Sequence, residues 1–270
     1  MDINRAKVPV TDRGLLYGHG TFETMRAFNG AISTLERHLN RLNNSLQRLS
    51  IDVRFSEGKT RKIINRLLRV NGLKDAYIRI TVTAGTLGES FADKKTKNPT
   101  VFIIAKNPPH YSKKYYENGV RAAIASIRRN NHSYLTRLKT TSYLENILSK
   151  IEAKRKNAFE SLFLDIKGNV AEGASSNIFI VKKGVLYTPA LSMPILPGVT
   201  RQVVVELAKK LSIKVIQKKI SLGEFMKADE VFITNSTMGL MPVSRIGKCV
   251  IGRPRDYKVY KRLRKSSENS

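Results

Sequence analysis

The chain has 270 residues and a mass of 30.4 kDa, which allow one large core or two modest ones. Its 41% hydrophobic and 26% charged residues exclude a disordered or low-complexity protein. The 49 Lys and Arg residues against 21 Asp and Glu give a net charge of +28, which favours anionic partners without choosing among phosphate esters, dicarboxylates and nucleic acid.

The first part of the chain predicts a small α/β domain. Strand-like residues run from Thr21 to Phe28 and end at Asn29-Gly30, a dipeptide typical of hairpin turns. Leucines then recur every three or four residues from Leu35 to Leu49, which places them on one helical face and in the core. A second helix is expected around Ile63 to Leu68, and further strands at Ala76 to Thr83 and Thr100 to Ala105.

Two prolines mark a domain boundary. Asn107-Pro108-Pro109 cannot continue a helix and favours an extended connector. We therefore expect a small domain over residues 1–107, a connector over 108–118 and a large domain over 119–270. The large domain alternates strand-like and helix-like segments, which predicts a mixed α/β architecture. Its first helix should start just after Lys139, with an apolar face formed by Leu144, Ile147, Leu148 and Ile151.

The remaining sequence features indicate a cytoplasmic protein without a metal site. A single cysteine cannot form an internal disulfide or a cysteine metal cluster. We find neither a signal-peptide pattern nor an apolar stretch long enough for a membrane span. The basic residues are scattered along the chain without a zinc-finger, ribonucleoprotein or basic-zipper motif, so we expect a small anionic substrate and not a nucleic acid.

Two charged residues could carry chemistry. Lys139 is expected near a helix start beside Arg137, where the helix dipole and like charge disfavour its ammonium form and favour a nucleophile or base. Glu172 lies among small residues near a strand start and could hold a proton on a pyridine nitrogen. Each is also consistent with an ordinary surface or loop residue.

Two turns and one arginine could bind phosphate. The segments from Leu196 to Arg201 and from Thr234 to Gly239 offer backbone N–H groups and hydroxyls at a helix start and after a strand. Each could equally be a helix cap or an ordinary polar turn. Arg41, beside the leucine stripe, could reach a buried anion or form a surface salt bridge.

In this order, the features resemble those of the class IV aminotransferases, the fold-type-IV pyridoxal-phosphate enzymes, from about Val8 to Val243. The resemblance implies two α/β lobes with pyridoxal 5'-phosphate between them, and at least a homodimer. It implies that Lys139 holds the cofactor as a Schiff base and shuttles protons, and that Glu172 pairs with the pyridine nitrogen. The phosphate-binding positions match Arg41, Val199, Thr200, Ser236 and Thr237.

The resemblance also implies further contacts with cofactor and substrate. Tyr143 matches a tyrosine that some members place near the phenolic oxygen of the cofactor. The substrate positions are Tyr17, Phe22, Thr24, Tyr77 and Arg79.

Three activities occur among members of this family. The segment from Ala76 to Arg79 resembles branched-chain aminotransferases, in which the tyrosine and arginine lie by the substrate carboxylate. Asn235, Met238, the Met241-Pro242-Val243 segment and Thr24 resemble aminodeoxychorismate lyase, which releases pyruvate and 4-aminobenzoate for folate synthesis. The lyase is the leading interpretation and a branched-chain transaminase using 2-oxoglutarate is the alternative. Ala84, where D-amino-acid aminotransferases have arginine, weakens the D-amino-acid interpretation.

Overall fold

The computed structural model describes residues 3–86 and 98–268, which form two compact units. Unit 1 comprises Met1–Pro109 and Leu138–Tyr143, and unit 2 comprises His110–Arg137 and Leu144–Ser270. The mixed α/β architecture is confirmed. The units differ from the predicted limits in two segments. Leu138–Tyr143, which contains Lys139, belongs to unit 1, and the predicted connector is divided, with residues 110–118 in unit 2 and a helix at Lys113–Asn118. Among the described helices, none is long and apolar enough to cross a membrane.

Unit 1 is an antiparallel sheet with helices packed against one face. Over the described residues its strands pair in the order β1-β2-β3. Phe28 and Ala31 exchange two backbone hydrogen bonds of 2.9 Å, which confirms the turn predicted at Asn29-Gly30. The elements of unit 1 are α1 (Arg13–Tyr17), β1 (Gly20–Ala27), α2 (Leu35–Arg48), α3 (Glu57–Val70), β2 (Ala76–Thr83) and β3 (Thr100–Lys106), after a short 3-10 helix at Ile3–Arg5.

The core of unit 1 follows from strand alternation and from the leucine stripe. Met25 and Ala27 of β1 point to the same face as Ile78 and Ile80 of β2, and all four are buried. The stripe of α2 packs on this face, as the leucine spacing predicted. The alternate residues of β1 and β2 therefore face the opposite side of the sheet.

Unit 2 is built on one mixed sheet. Within the described residues its strand order is β6-β5-β4-β11-β10-β7-β8-β9, with β12 paired to β11. The parallel pairs β4-β5 and β8-β9 are each connected through a helix, α5 and α6 respectively. The strands are β4 (Val120–Arg129), β5 (Glu160–Asp165), β6 (Val170–Gly173), β7 (Asn177–Lys182), β8 (Val185–Pro189), β9 (Val215–Lys218), β10 (Glu230–Asn235), β11 (Gly239–Ile246) and β12 (Cys249–Val250). The helices are α4 (Lys113–Asn118), α5 (Leu144–Arg155), α6 (Val199–Lys210), α7 (Leu222–Met226) and α8 (Lys258–Glu268), with 3-10 turns at Tyr134–Arg137 and Pro254–Asp256.

The apolar face predicted for α5 does not face the core. Leu144, Ile147, Leu148 and Ile151 are 65%, 50%, 47% and 43% exposed, whereas the small or polar residues Asn146, Ser149 and Ala153 are buried. The helix packs its narrow face closely on β4 and β5 and leaves its large aliphatic side chains outside. We call these four residues the α5 stripe.

Candidate active site

Lys139 is held in place by a short pairing with the first strand. Thr21 and Thr140 form an isolated antiparallel bridge. The Lys139 carbonyl accepts hydrogen bonds from the Phe22 N–H and from the Thr21 hydroxyl, both at 2.9 Å. A strand that lies 118 residues earlier in the chain therefore fixes the backbone of this lysine.

The predicted location of Lys139 at the head of a helix is wrong. The helix α5 begins only at Leu144, so the dipole of that helix cannot be invoked to activate the lysine. Aromatic rings surround its amine instead. The Nζ atom lies 4.5 Å from the centroid of the Phe22 ring and 5.7 Å from that of Tyr143, and the two rings meet edge to face at 5.5 Å.

Four of the five predicted substrate residues lie on one face of the sheet in unit 1. Phe22 and Thr24 alternate along β1, Tyr77 and Arg79 alternate along β2, and Thr24 lies directly opposite Arg79. This is the face that α2 does not cover. The fifth, Tyr17, is 49% exposed at the end of α1.

The Phe22 ring connects the substrate face to the lysine. The Arg79 Cζ atom lies 3.7 Å from the centroid of this ring, and the Arg79 Nε atom donates to the Thr81 hydroxyl at 3.1 Å. A guanidinium that can bind a carboxylate and the amine of Lys139 therefore contact the same aromatic ring.

Arg41 belongs to a buried cluster of charges on the core side of β1. Its Nε and Nη2 atoms donate to the two carboxylate oxygens of Glu23 at 2.7 and 2.8 Å, and His38 Nδ1 lies 2.7 Å from Glu23 Oε2. Burial raises the pKa of Glu23, but the positive charge of Arg41 and the hydrogen bonds from Arg41 and His38 outweigh it and lower that pKa to about 2. The surface salt bridge considered for Arg41 is instead a partly buried one, with the Arg41 side chain 12% and the Glu23 side chain 1% exposed. The phosphate role of Arg41 stays a prediction.

Sequence reasoning assigned no role to Glu23 or His38. Both are at most 1% exposed and stand at core-facing positions of β1 and α2. The periodic pattern requires apolar residues at both positions, yet they hold a carboxylate and an imidazole. Because buried charges require partners, this mismatch is the signal that could have identified the pair.

Glu172 is buried in β6 and held from two sides. Its Oε2 atom accepts a hydrogen bond from the Leu196 N–H at 2.9 Å, and its Oε1 atom lies 3.5 Å from Arg129 Nη2. Arg129 also donates to Glu145 at 2.8 Å and stacks on Phe163, with its Cζ atom 4.0 Å from the ring centroid. Arg129 is a further residue that the sequence did not reveal, since it contacts Glu172 only after β4 and β6 have joined the same sheet.

The two predicted phosphate turns come together in unit 2. The Thr200 and Ser236 hydroxyl oxygens lie 3.4 Å apart. The helix α6 begins at Val199, and its capping residue Gly198 has no side chain to accept the first N–H groups of the helix. A helix N-terminus beside two hydroxyls suits an anion.

Asn235 organises the turn that follows β10. Its side-chain oxygen accepts hydrogen bonds from the Thr237 N–H at 3.0 Å, the Thr237 hydroxyl at 2.9 Å and the Met238 N–H at 2.9 Å. Thr237 Oγ1 is also 3.3 Å from the Tyr111 hydroxyl. The asparagine thereby fixes the positions of Ser236 and Thr237.

The side chains of the two units, each taken by itself, fit the groups of pyridoxal phosphate. Unit 1 provides an amine between aromatic rings, which suits an aldehyde. Unit 2 provides a buried carboxylate, which suits a pyridine nitrogen, and a helix N-terminus with hydroxyls, which suits a phosphate.

The chain belongs to the class IV aminotransferases, because the family model described as amino-transferase class IV matches residues 20–246. These are pyridoxal-phosphate-dependent enzymes. A putative branched-chain-amino-acid aminotransferase of Methanocaldococcus jannaschii is 40% identical over 98% of this chain and 91% of its own length. The aminodeoxychorismate lyase of Bacillus subtilis is 34% identical over 87% of this chain and 80% of its own length.

Solved structures show the same fold. The branched-chain amino acid aminotransferase of Escherichia coli has a TM-score of 0.92 and 30% identity, covering 100% of this chain and 91% of that one. The branched-chain aminotransferase of the thermophilic archaeon Thermoproteus uzoniensis, solved with norvaline, has a TM-score of 0.89 and 31% identity, covering 100% of this chain and 91% of that one.

Proposed function

We propose that this chain is a pyridoxal-phosphate-dependent transaminase for branched-chain amino acids. The observation that carries the proposal is the Phe22 ring, which contacts both the Lys139 amine and the Arg79 guanidinium. An amino acid needs a cation for its carboxylate and an apolar surface for its side chain, and this face of the sheet offers both. The 40% identity to the putative branched-chain enzyme of Methanocaldococcus jannaschii supports the same activity.

In this proposal each side chain has one task. The Lys139 Nζ atom attaches the cofactor and moves the proton of the substrate carbon, and Arg79 binds the carboxylate that orients that carbon. Glu172 pairs with the pyridine nitrogen, beside the positive charge of Arg129. When bound, pyridoxal phosphate supplies the electron sink that stabilises the deprotonated carbon.

The phosphate group is assigned to backbone N–H groups and hydroxyls. The first turn of α6, with Val199 and Thr200, would bind the phosphate together with Ser236 and Thr237. The resemblance gives Arg41 a phosphate role as well, and within unit 1 its guanidinium is oriented by Glu23. Tyr143 is assigned to the phenolic oxygen of the cofactor.

The sequence features that favoured the lyase have mostly structural roles. Met238 and Met241 are 4% and 0% exposed in the core of unit 2, and Val243 is buried with them. Asn235 orders its own turn. Since these residues build unit 2 whatever the substrate, they do not discriminate between the two activities, and the substrate-facing Tyr77 and Arg79 decide our preference.

Aminodeoxychorismate lyase is the second candidate, because of Thr24. This threonine, one of the lyase-like features of the sequence, lies directly opposite Arg79 on the substrate face. Its hydroxyl could form a hydrogen bond with a polar ring substrate. The aliphatic side chain of a branched-chain amino acid would offer this hydroxyl no hydrogen-bond partner.

Two assays on the purified protein loaded with pyridoxal phosphate decide between the candidates. The transaminase proposal expects leucine, isoleucine or valine to react with 2-oxoglutarate, and Arg79→Gln to lose most of that activity while the exposed Arg69→Gln keeps it. If the protein instead releases pyruvate and 4-aminobenzoate from aminodeoxychorismate and turns over no amino acid, the transaminase proposal is wrong and the lyase is the activity. Both candidates require a visible absorbance band that borohydride bleaches and that the Lys139→Ala variant lacks. Absence of this band in the wild type would refute both.

The resemblance implied at least a homodimer, and we also propose that two copies associate through the α5 stripe. Most of a surface with net charge +28 repels a second copy, and these four exposed aliphatic residues carry no charge. Light scattering should report a dimer for the wild type and for Ile63→Glu, whose isoleucine is 55% exposed on α3, and a monomer for Ile147→Glu. A wild-type monomer would refute the association. The cytoplasmic location remains a prediction.

A further inference from the structure

Basic residues that are scattered in the sequence meet on one surface of unit 2. Lys258, Lys261, Arg262 and Lys265 follow the spacing i, i+3, i+4, i+7 and are exposed on one face of α8. The end of α6 packs against this helix, and Arg262 Nη2 donates to the Leu211 carbonyl at 3.0 Å. Lys209 and Lys210, both exposed, are the last two residues of α6. We call these six cations the α6–α8 basic surface.

The cations of this surface are not engaged in ion pairs. Among the residues that the structure describes, none of the six cations forms an ion pair within 4.0 Å. Glu268, at the end of α8, pairs with Arg264 at 2.8 Å. Glu230 is buried and accepts the Val259 and Tyr260 N–H groups at 3.0 and 2.8 Å.

The scattered basic residues of the sequence led us to expect no nucleic acid, but the fold gathers six of them on two packed helices. We propose that the α6–α8 basic surface binds the phosphate backbone of double-stranded nucleic acid without reading its sequence. Exposed cations that two packed helices bring together form an electrostatic footprint of such binding, and the row on α8 is extended in this way by Lys209 and Lys210 of α6. Each cation in contact with a phosphate releases a counterion. The proposed catalytic function does not use this surface, so the inference can be tested independently of that function.

The surroundings of the six cations favour a duplex over other polyanions. Helices that insert into membranes expose apolar residues beside their cations, but Val259, Tyr260 and Leu263 of α8 are buried in the core. Single strands are bound by stacking on exposed aromatic rings, and Tyr257 and Tyr260 are each only 2% exposed. The α6–α8 basic surface therefore offers positive charge without exposed apolar or aromatic groups, which suits the regular phosphate backbone of a duplex.

The test compares two variants of the full-length protein with the same change in net charge. One replaces Lys258, Lys261, Arg262 and Lys265 with glutamine. The matched control replaces Lys59, Lys62, Arg66 and Arg69, a comparable exposed row on α3, and each variant lowers the net charge of +28 by four. Circular dichroism and pyridoxal phosphate binding should be unchanged in both.

Binding to a labelled random-sequence DNA duplex of about 30 base pairs is measured by anisotropy over about 50 to 300 mM salt. We expect the α8 variant to lose about 3 to 4 in the slope of log affinity against log salt, and at least ~30-fold in affinity, whereas the α3 variant stays within about threefold. Equal losses in both variants would overturn the proposal in favour of diffuse net charge. So would a wild type with no salt-dependent binding, or tighter binding to phosphatidylserine vesicles than to the duplex.

Discussion

Replacing Glu23 with glutamine removes one buried negative charge and keeps the shape of the side chain. Glu23 is 0% exposed and accepts hydrogen bonds from both Arg41 and His38. The variant leaves the partly buried Arg41 guanidinium beside a neutral amide in place of the Glu23 carboxylate.

The pKa of Glu23 gives the magnitude. A carboxyl whose pKa falls from 4.5 to about 2 on folding contributes about 3 kcal/mol to the free energy of unfolding at neutral pH. Because the folded-state pKa is the lower one, this stability is present above pH 4.5 and is lost as the pH falls towards 2. By about pH 3.5, roughly 2 kcal/mol of it remains.

The assay is urea unfolding followed by far-ultraviolet circular dichroism, at neutral pH and at several values down to about pH 3.5. Glu23→Gln should be about 3 kcal/mol less stable than the wild type at neutral pH. The difference should shrink as the pH falls below 4.5, because the carboxyl of the unfolded wild-type chain then takes up a proton while the folded one stays ionised.

Glu57→Gln is the matched control within the same unit. Glu57 pairs with Arg61 one helical turn later, with both side chains about two-fifths exposed, so its loss should cost under ~0.5 kcal/mol. A Glu23→Gln variant that is no less stable than this control, or whose deficit does not change with pH, would refute the assignment of a buried charge cluster.

Three further outcomes follow from the contacts in the two units. Arg129→Met should weaken pyridoxal phosphate binding about tenfold, measured by equilibrium dialysis, because Glu172 loses its neighbouring cation; unchanged affinity would contradict this role. Gly198→Ala should lower both the melting temperature and the affinity for pyridoxal phosphate, because its Cβ would lie 1.8 Å from Asn177 Oδ1 at the start of α6; a variant equal to the wild type in both would be inconsistent with the packing. Gly85→Ala should cost at least ~2 kcal/mol in urea unfolding, because φ is +71° and the added Cβ would lie 1.7 Å from the Asn98 carbonyl oxygen; a smaller cost would show that this turn can relax.

The sequence by itself determined the family and most of the secondary structure. The strand Ala76–Thr83 was predicted at the limits that the structure has, and the leucine stripe of α2 lies in the core as its spacing required. Local periodicity reports which faces are apolar, so elements with one buried face can be predicted without knowledge of their neighbours. The motifs around Lys139 and Glu172 indicated the family because they occur in a fixed order together with Arg41 and the two phosphate turns.

The tertiary structure decided how those residues meet. Lys139 is positioned by Thr21, and Glu172 is held by Arg129, through contacts between segments far apart in sequence. The α5 stripe shows the limit of local patterns, since an apolar helical face looks the same in sequence whether or not the rest of the chain covers it. Glu23, a charged residue in a strand, became intelligible only when α2 brought Arg41 and His38 onto it. Long-range packing, which periodicity does not encode, selected these partners.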